Sequence, residues 1–113
     1  MKVLVCGGRD YIDYARLCWV LGHAEPPISL VIHGAAQGAD SLAAKWAVEQ
    51  GIPTDSYPAD WDKYGKAAGP IRNRVMLELG KPERVIAFPG GKGTADMVAR
   101  ARRANVPVTE IGE

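Results

Sequence analysis

The chain has 113 residues, 47% of them hydrophobic and 24% charged, with a formal net charge of +1. That length and balance suit one globular domain spanning residues 1–113, and a charge so near zero speaks against nucleic acid or a membrane surface as partner. No apolar run approaches the ~18 residues of a membrane helix, and the first residues read as a strand rather than a signal peptide, so a cytoplasmic protein is expected.

Lys2 to Cys6 is the first predicted strand, followed by a turn at Gly7-Gly8-Arg9-Asp10. Tyr11 to Leu21 reads as a helix with an apolar stripe at Ala15, Cys18, Trp19 and Gly22, capped by Asp10 or Asp13. After Pro26-Pro27, Ile28 to His33 forms a second, nearly all-apolar strand. A second glycine turn, Gly34 to Asp40, leads into a helix from Ser41 to Gln50, which Gly51 ends as a C′ residue. Pro53 to Tyr57 is a short third strand, less apolar and so nearer an edge. Pro58 to Pro70 reads as loop, and Ile71 to Leu79 as a helix with Val75, Met76 and Leu79 inward.

The stretch from Arg84 to Ala104 organises the rest. Arg84 to Phe88 is a buried strand, stopped by Pro89, which has no N–H to give a ladder. Gly90, Gly91 and Gly93 follow around Lys92, Thr94 is placed to cap, and Ala95 to Ala104 is rich in helix formers. Strand, glycine turn and helix together present free N–H groups and a positive dipole end to an anion, most plausibly a phosphate. The turn is not a Walker A loop, because Gly93 stands where that pattern needs Ser or Thr, and it is not G-x-G-x-x-G. Pro107 to Ile111 is the last strand.

Continuous apolar strands alternating with helices predict an α/β fold. We expect a single Rossmann-like, open, doubly wound parallel sheet of about five strands with helices on both faces. Ligands of such sheets sit beyond the carboxyl ends of the strands, where strand order reverses. The three glycine turns all follow strands, so they fall on that one rim and are read together as one site.

The ligand-binding candidates are accordingly Gly7, Gly8 and Arg9 in the first turn, and Gly34, Gly38 and Asp40 in the second. Pro89, Gly90, Gly91, Gly93 and Thr94 form the third. Arg9 suits bidentate bonding to phosphate, and Asp40 either caps its helix or accepts from a ribose hydroxyl. Asn73 projects with Arg72 from a first helical turn toward the same rim, and Trp61 either packs under its loop or stacks on a base. Arg72 and Asp96 are the catalytic candidates if turnover occurs. Cys6 and Cys18 have neither metal nor redox spacing, and His33 reads as a structural histidine. No metal and no cofactor are expected.

Four stretches carry a family resemblance: Val5 to Tyr11, His33 to Asp40, Ala59 to Asn73 and Phe88 to Met97. Together, and in this order, they resemble the SLOG superfamily in its YspA/YpsA-like branch. The resemblance implies a Rossmann-like fold, binding of a nucleotide or nucleotide-derived ligand, and a homo-oligomer as in the related LOG phosphoribohydrolases. Those enzymes carry P-G-G-x-G-T-x-x-E and an arginine on an earlier helix. Pro89 to Thr94 and Arg72 match, but Met97 stands at the glutamate position and cannot bond a ribose. Asp96 lies about 100° round the helix from it. The resemblance therefore implies phosphate binding directly and N-glycosidic hydrolysis of a nucleoside 5′-monophosphate as the alternative. Ala35-Ala36 departs from the glycine-rich pair expected there. DNA handling, by analogy with DprA proteins of the same fold, is disfavoured by the near-neutral charge.

Overall fold

The computed structural model describes residues Met1 to Gly112. Five strands form one parallel sheet in the order β3-β2-β1-β4-β5. They are β1 (Lys2–Cys6), β2 (Leu30–His33), β3 (Thr54–Ser56), β4 (Arg84–Ala87) and β5 (Val108–Glu110). β1 lies at the centre, with Val3 beside Val31 of β2 and beside Arg84 of β4. The chain winds outward from β1 to β3, returns to pair β4 with β1, and continues outward to β5. Strand order thus reverses between β1 and β4.

The helices are α1 (Tyr14–Gly22), α2 (Ala39–Glu49), α3 (Trp61–Tyr64), α4 (Ala68–Gly80) and α5 (Lys92–Arg103), with a 3₁₀ turn at Gly65–Ala67. One core layer joins Val3, Val5 and Val31 to Leu17 and Leu21 of α1 and to Ala43, Trp46 and Ala47 of α2. The opposite layer joins Leu4, Ile32 and Val85 to Met76 of α4 and to Met97, Val98 and Ala101 of α5. Alternate residues of β1 therefore feed opposite layers, which is why its sequence is apolar without interruption. The doubly wound α/β sheet expected from the sequence is the fold observed.

Several element boundaries need correction. α1 begins at Tyr14, and Asp13, not Asp10, caps it by accepting from the Arg16 N–H at 3.1 Å. Its buried stripe is Leu17 and Leu21, whereas Trp19 is 64% exposed and stacks on His23. Residues 58–70 are not all loop: Asp60 caps the one-turn helix α3, and α4 starts at Ala68. Pro70 thereby falls in the first turn of α4, where a missing N–H costs nothing. Leu79 faces solvent rather than the core. α5 begins at Lys92 with Gly91 as its N-cap residue, so Thr94 lies inside the first turn and does not cap it. Among the described residues no helix is long and apolar enough to cross a membrane.

Candidate functional site

The turns after β1, β2 and β4 meet at the carboxyl rim of the sheet. The Gly8 N–H donates to the Pro89 carbonyl at 2.9 Å, joining the first turn to the third across the strand-order reversal. The Ala39 N–H donates to the Gly8 carbonyl at 3.2 Å, joining the first to the second. A cleft of about 1080 Å³ opens beside them, ample for a nucleotide-sized ligand.

Gly7, Gly8 and Arg9 line this cleft, as do Pro89, Gly90, Gly91, Gly93 and Thr94. So do Asp40, Trp61, Arg72, Asn73 and Asp96. Gly34 and Gly38, the remaining two candidates, do not line it. A Cβ on Gly34 would strike the Arg72 guanidinium. Gly38 has φ +76°, and a Cβ there would strike the Gly8 carbonyl. Gly34 thus makes room for a side chain of α4, and Gly38 for the packing of loop on loop. Gly90 is similar, because its Cβ would collide with the Thr94 hydroxyl.

Gly91 and Gly93 differ from these. A Cβ at either position would meet nothing within 4 Å. Neither has the positive φ that favours glycine; Gly91 is the N-cap residue of α5, a position glycine suits, and Gly93 is the second residue of the helix, where it is a poorer helix former than alanine. The fold gives no reason for Gly93 to be glycine. Around the two glycines, the first turn of α5 leaves N–H groups without intrahelical partners, at the positive end of the helix dipole.

The charged groups divide into engaged and free. Asp40 is 6% exposed, and its carboxylate accepts from the Gly34 N–H at 2.8 Å and the Ala36 N–H at 3.4 Å. It holds the second turn in shape. Burial raises its pKa, partly offset by those two amide bonds and by the Arg72 charge. Asp96 accepts from Asn73 Nδ2 at 3.0 Å and from Arg100 Nε at 2.9 Å. Arg72 donates to the Gly34 carbonyl and, through Nε, to Asn73 Oδ1 at 3.0 Å. Burial lowers its pKa, the Asp40 charge opposes that, and the charge of Arg9 adds to it; a guanidinium nevertheless stays protonated. Arg9 lies over the Trp61 ring at 5.7 Å from its centroid, and neither residue is buried.

Arg16, Lys66 and Lys92 add cations to the lining. Sequence reasoning passed over Arg16 and Lys66; only the placement of Arg16 three residues after the capping Asp13 hinted that it stood near the rim. Cys6 lies at the floor with its thiol pKa pushed up to about 12, first by burial and then by the Asp40 charge, so it is no nucleophile at neutral pH. Met97 is fully buried in the α4–α5 layer. Among the described residues no group of three or more His, Cys, Asp or Glu could hold a metal ion.

A profile described as the YspA, cpYpsA-related SLOG family matches residues 1–64. The chain belongs to that SLOG family. A curated relative, the Gene 61 protein of Mycobacterium phage D29, is 34% identical and aligns over 99% of this chain and 97% of its own. Among solved structures, the SLOG chain resembles DNA processing protein A (DprA) from Streptococcus pneumoniae, with a TM-score of 0.80 and 21% identity. That match covers 99% of this chain and 50% of DprA. It also resembles UDP-GlcNAc 2-epimerase from Neisseria meningitidis bound to UDP-GlcNAc, with a TM-score of 0.61 and 22% identity. There it covers 98% of this chain and 32% of the epimerase. At these identities the likeness is one of fold.

Proposed function

We propose that this protein binds a nucleotide or nucleotide-derived ligand by its phosphate, in the cleft at the β1–β4 reversal. The supporting observation is Gly93, a glycine in the first turn of α5 beside the cleft that no backbone angle and no neighbour requires. A side chain there would stand between a ligand and the free amides of the first turn of α5. Arg9 and the free edge of the Arg72 guanidinium supply countercharge, and Trp61 offers a ring for the base. Arg9, Arg16, Lys66, Arg72 and Lys92 line the cleft together with Asp10, Asp13, Asp40 and Asp96, of which Asp13 and Asp40 already accept backbone N–H groups and Asp96 is paired with Arg100.

Calorimetry against nucleoside mono- and diphosphates, ADP-ribose and NAD tests the reading, together with mass spectrometry of whatever small molecule co-purifies. Saturable binding that Gly93→Val abolishes, with the fold intact, is the expected result. No binding to any member at millimolar concentration would overturn it.

Hydrolysis of the N-glycosidic bond, with Arg72 and Asp96 as catalytic groups, is the second reading. Arg72 and Asp96 both line the cleft, but the Asp96 carboxylate is shared by Asn73 and Arg100. Incubation with nucleoside 5′-monophosphates and detection of free base decides between binding and turnover. A small-molecule ligand, rather than nucleic acid, and a homo-oligomer complete the proposal. Sedimentation equilibrium reads its stoichiometry.

A further inference from the structure

Asn73 is a buried polar residue, 4% exposed, on the side of α4 that meets α5. Its carboxamide makes three contacts. Oδ1 accepts from Arg72 Nε at 3.0 Å, and Nδ2 donates to the Gly93 carbonyl at 3.2 Å and to Asp96 Oδ2 at 3.0 Å. Both N–H bonds of the amide are thus committed inside the protein, and none is left to donate to a ligand.

The partner at Gly93 matters most. The Gly93 carbonyl and the Thr94 N–H belong to one planar peptide unit and point in opposite directions. The carbonyl already accepts the α5 bond from Met97, and Asn73 adds a second anchor from α4 that fixes the direction of the N–H at this frayed end. Thr94 lies in the first turn of α5, so that N–H has no intrahelical acceptor and is free to meet an anion. The same Asn73 reaches, through Arg72, the Gly34 carbonyl of the turn after β2. One buried carboxamide thus ties the second turn to the third.

We propose that Asn73 is a positioning residue: it orients the Gly93–Thr94 peptide so that the Thr94 amide is directed at the ligand's phosphate before the ligand arrives. Its target rests on the phosphate-binding reading above. The benefit is preorganisation, since an amide already held in place loses little freedom on binding. Asn73→Ser removes the links without adding charge. Asn73→Asp keeps an acceptor for Arg72 but turns an oxygen toward the Gly93 carbonyl and the Asp96 carboxylate.

The experiment records backbone amide resonances of folded wild type, Asn73→Ser and Asn73→Asp, free and titrated with inorganic phosphate and with 5′-AMP. The expected result has two parts. In ligand-free protein the Thr94 resonance moves in both variants, and more in Asn73→Asp. Affinity for both probes falls about tenfold in Asn73→Ser, the effect of one buried hydrogen bond, and further in Asn73→Asp. An unmoved Thr94 resonance in ligand-free Asn73→Ser would overturn the proposal, even if affinity fell, because Asn73 would then be touching the probe itself. If Asn73→Asp does not fold, Asn73→Ser alone decides. If wild type binds neither probe, the phosphate reading fails, while the ligand-free Thr94 resonance still decides whether Asn73 orients that peptide.

Discussion

Gly93 separates the demands of folding from those of binding. Alanine is the better helix former and a Cβ at Gly93, the second residue of α5, meets no neighbour, so Gly93→Ala should raise unfolding free energy by at most about 0.5 kcal/mol. The same methyl group intrudes on the proposed anion site, so phosphate affinity should fall. Denaturant titration and calorimetry on one sample check both signs; a variant that gains stability and keeps its affinity would show that the glycine faces no ligand. His33 offers a second test at this scale. It is 6% exposed, and its Nδ1 accepts from the Ala35 N–H at 3.0 Å, which requires the neutral ring. Burial lowers its pKa below the ordinary 6.5, against the opposing charges of Asp40 and Asp55. Between the two pKa values the unfolded chain binds a proton that the folded chain refuses, so this contribution to stability is lost as pH falls below about 6.5. Asp40 acts in the other sense, since its raised pKa makes deprotonation costly in a window that starts at its ordinary 3.8. The urea midpoint should therefore drop less between pH 7.5 and 5.5 in His33→Asn, whose amide oxygen still accepts from Ala35, than in wild type.

Among the elements, the segment Trp61 to Ala67 stands apart. None of the residues in α3 or the 3₁₀ turn is buried. Trp61→Ala should leave the unfolding transition nearly unchanged. It should weaken nucleotide binding by about 1–3 kcal/mol, the worth of one stacked base, and leave inorganic phosphate affinity alone. Parallel calorimetry with 5′-AMP and phosphate reads the difference. This segment was also the hardest to read from sequence. One helical turn is too short to show a period, and Gly69-Pro70 resembles a break although α4 runs through it. The strands were legible for the opposite reason: with helices on both faces, β1, β2 and β4 bury nearly every side chain, and an uninterrupted apolar run is hard to mistake. In α1 the buried stripe was misread because the bulkiest apolar residue, Trp19, lies outside it. The glycine turns were legible as turns, but which glycines serve the fold and which open on the cleft was not. That distinction depends on Arg72 reaching Gly34 and Asn73 reaching Gly93, 38 and 20 positions away along the chain.

For the whole molecule, the topology sets where stability resides. β1 has a strand on each side, and Val3, Leu4 and Val5 are fully buried. β3 and β5 are edge strands with one partner each and only partly buried or exposed side chains. Hydrogen exchange should therefore be slowest in β1 and β4, faster in β3 and β5, and fastest in Trp61 to Ala67. Uniform protection across the sheet would show that the edges are covered, as self-association through them would achieve. The centre of the sheet is also where the chain reverses its winding, so the proposed phosphate grip is carried by two strands whose side chains are nearly all buried. Trp61 and Lys66, by contrast, reach the cleft from the outside.

Trp61 to Ala67 contributes no side chain to either core layer, and Trp61 and Lys66 of it line the cleft, so substitutions in this segment should cost folding little. A change of ligand at the proposed site then calls for rewriting a single short bridge, with the sheet and its glycine rim left as they are.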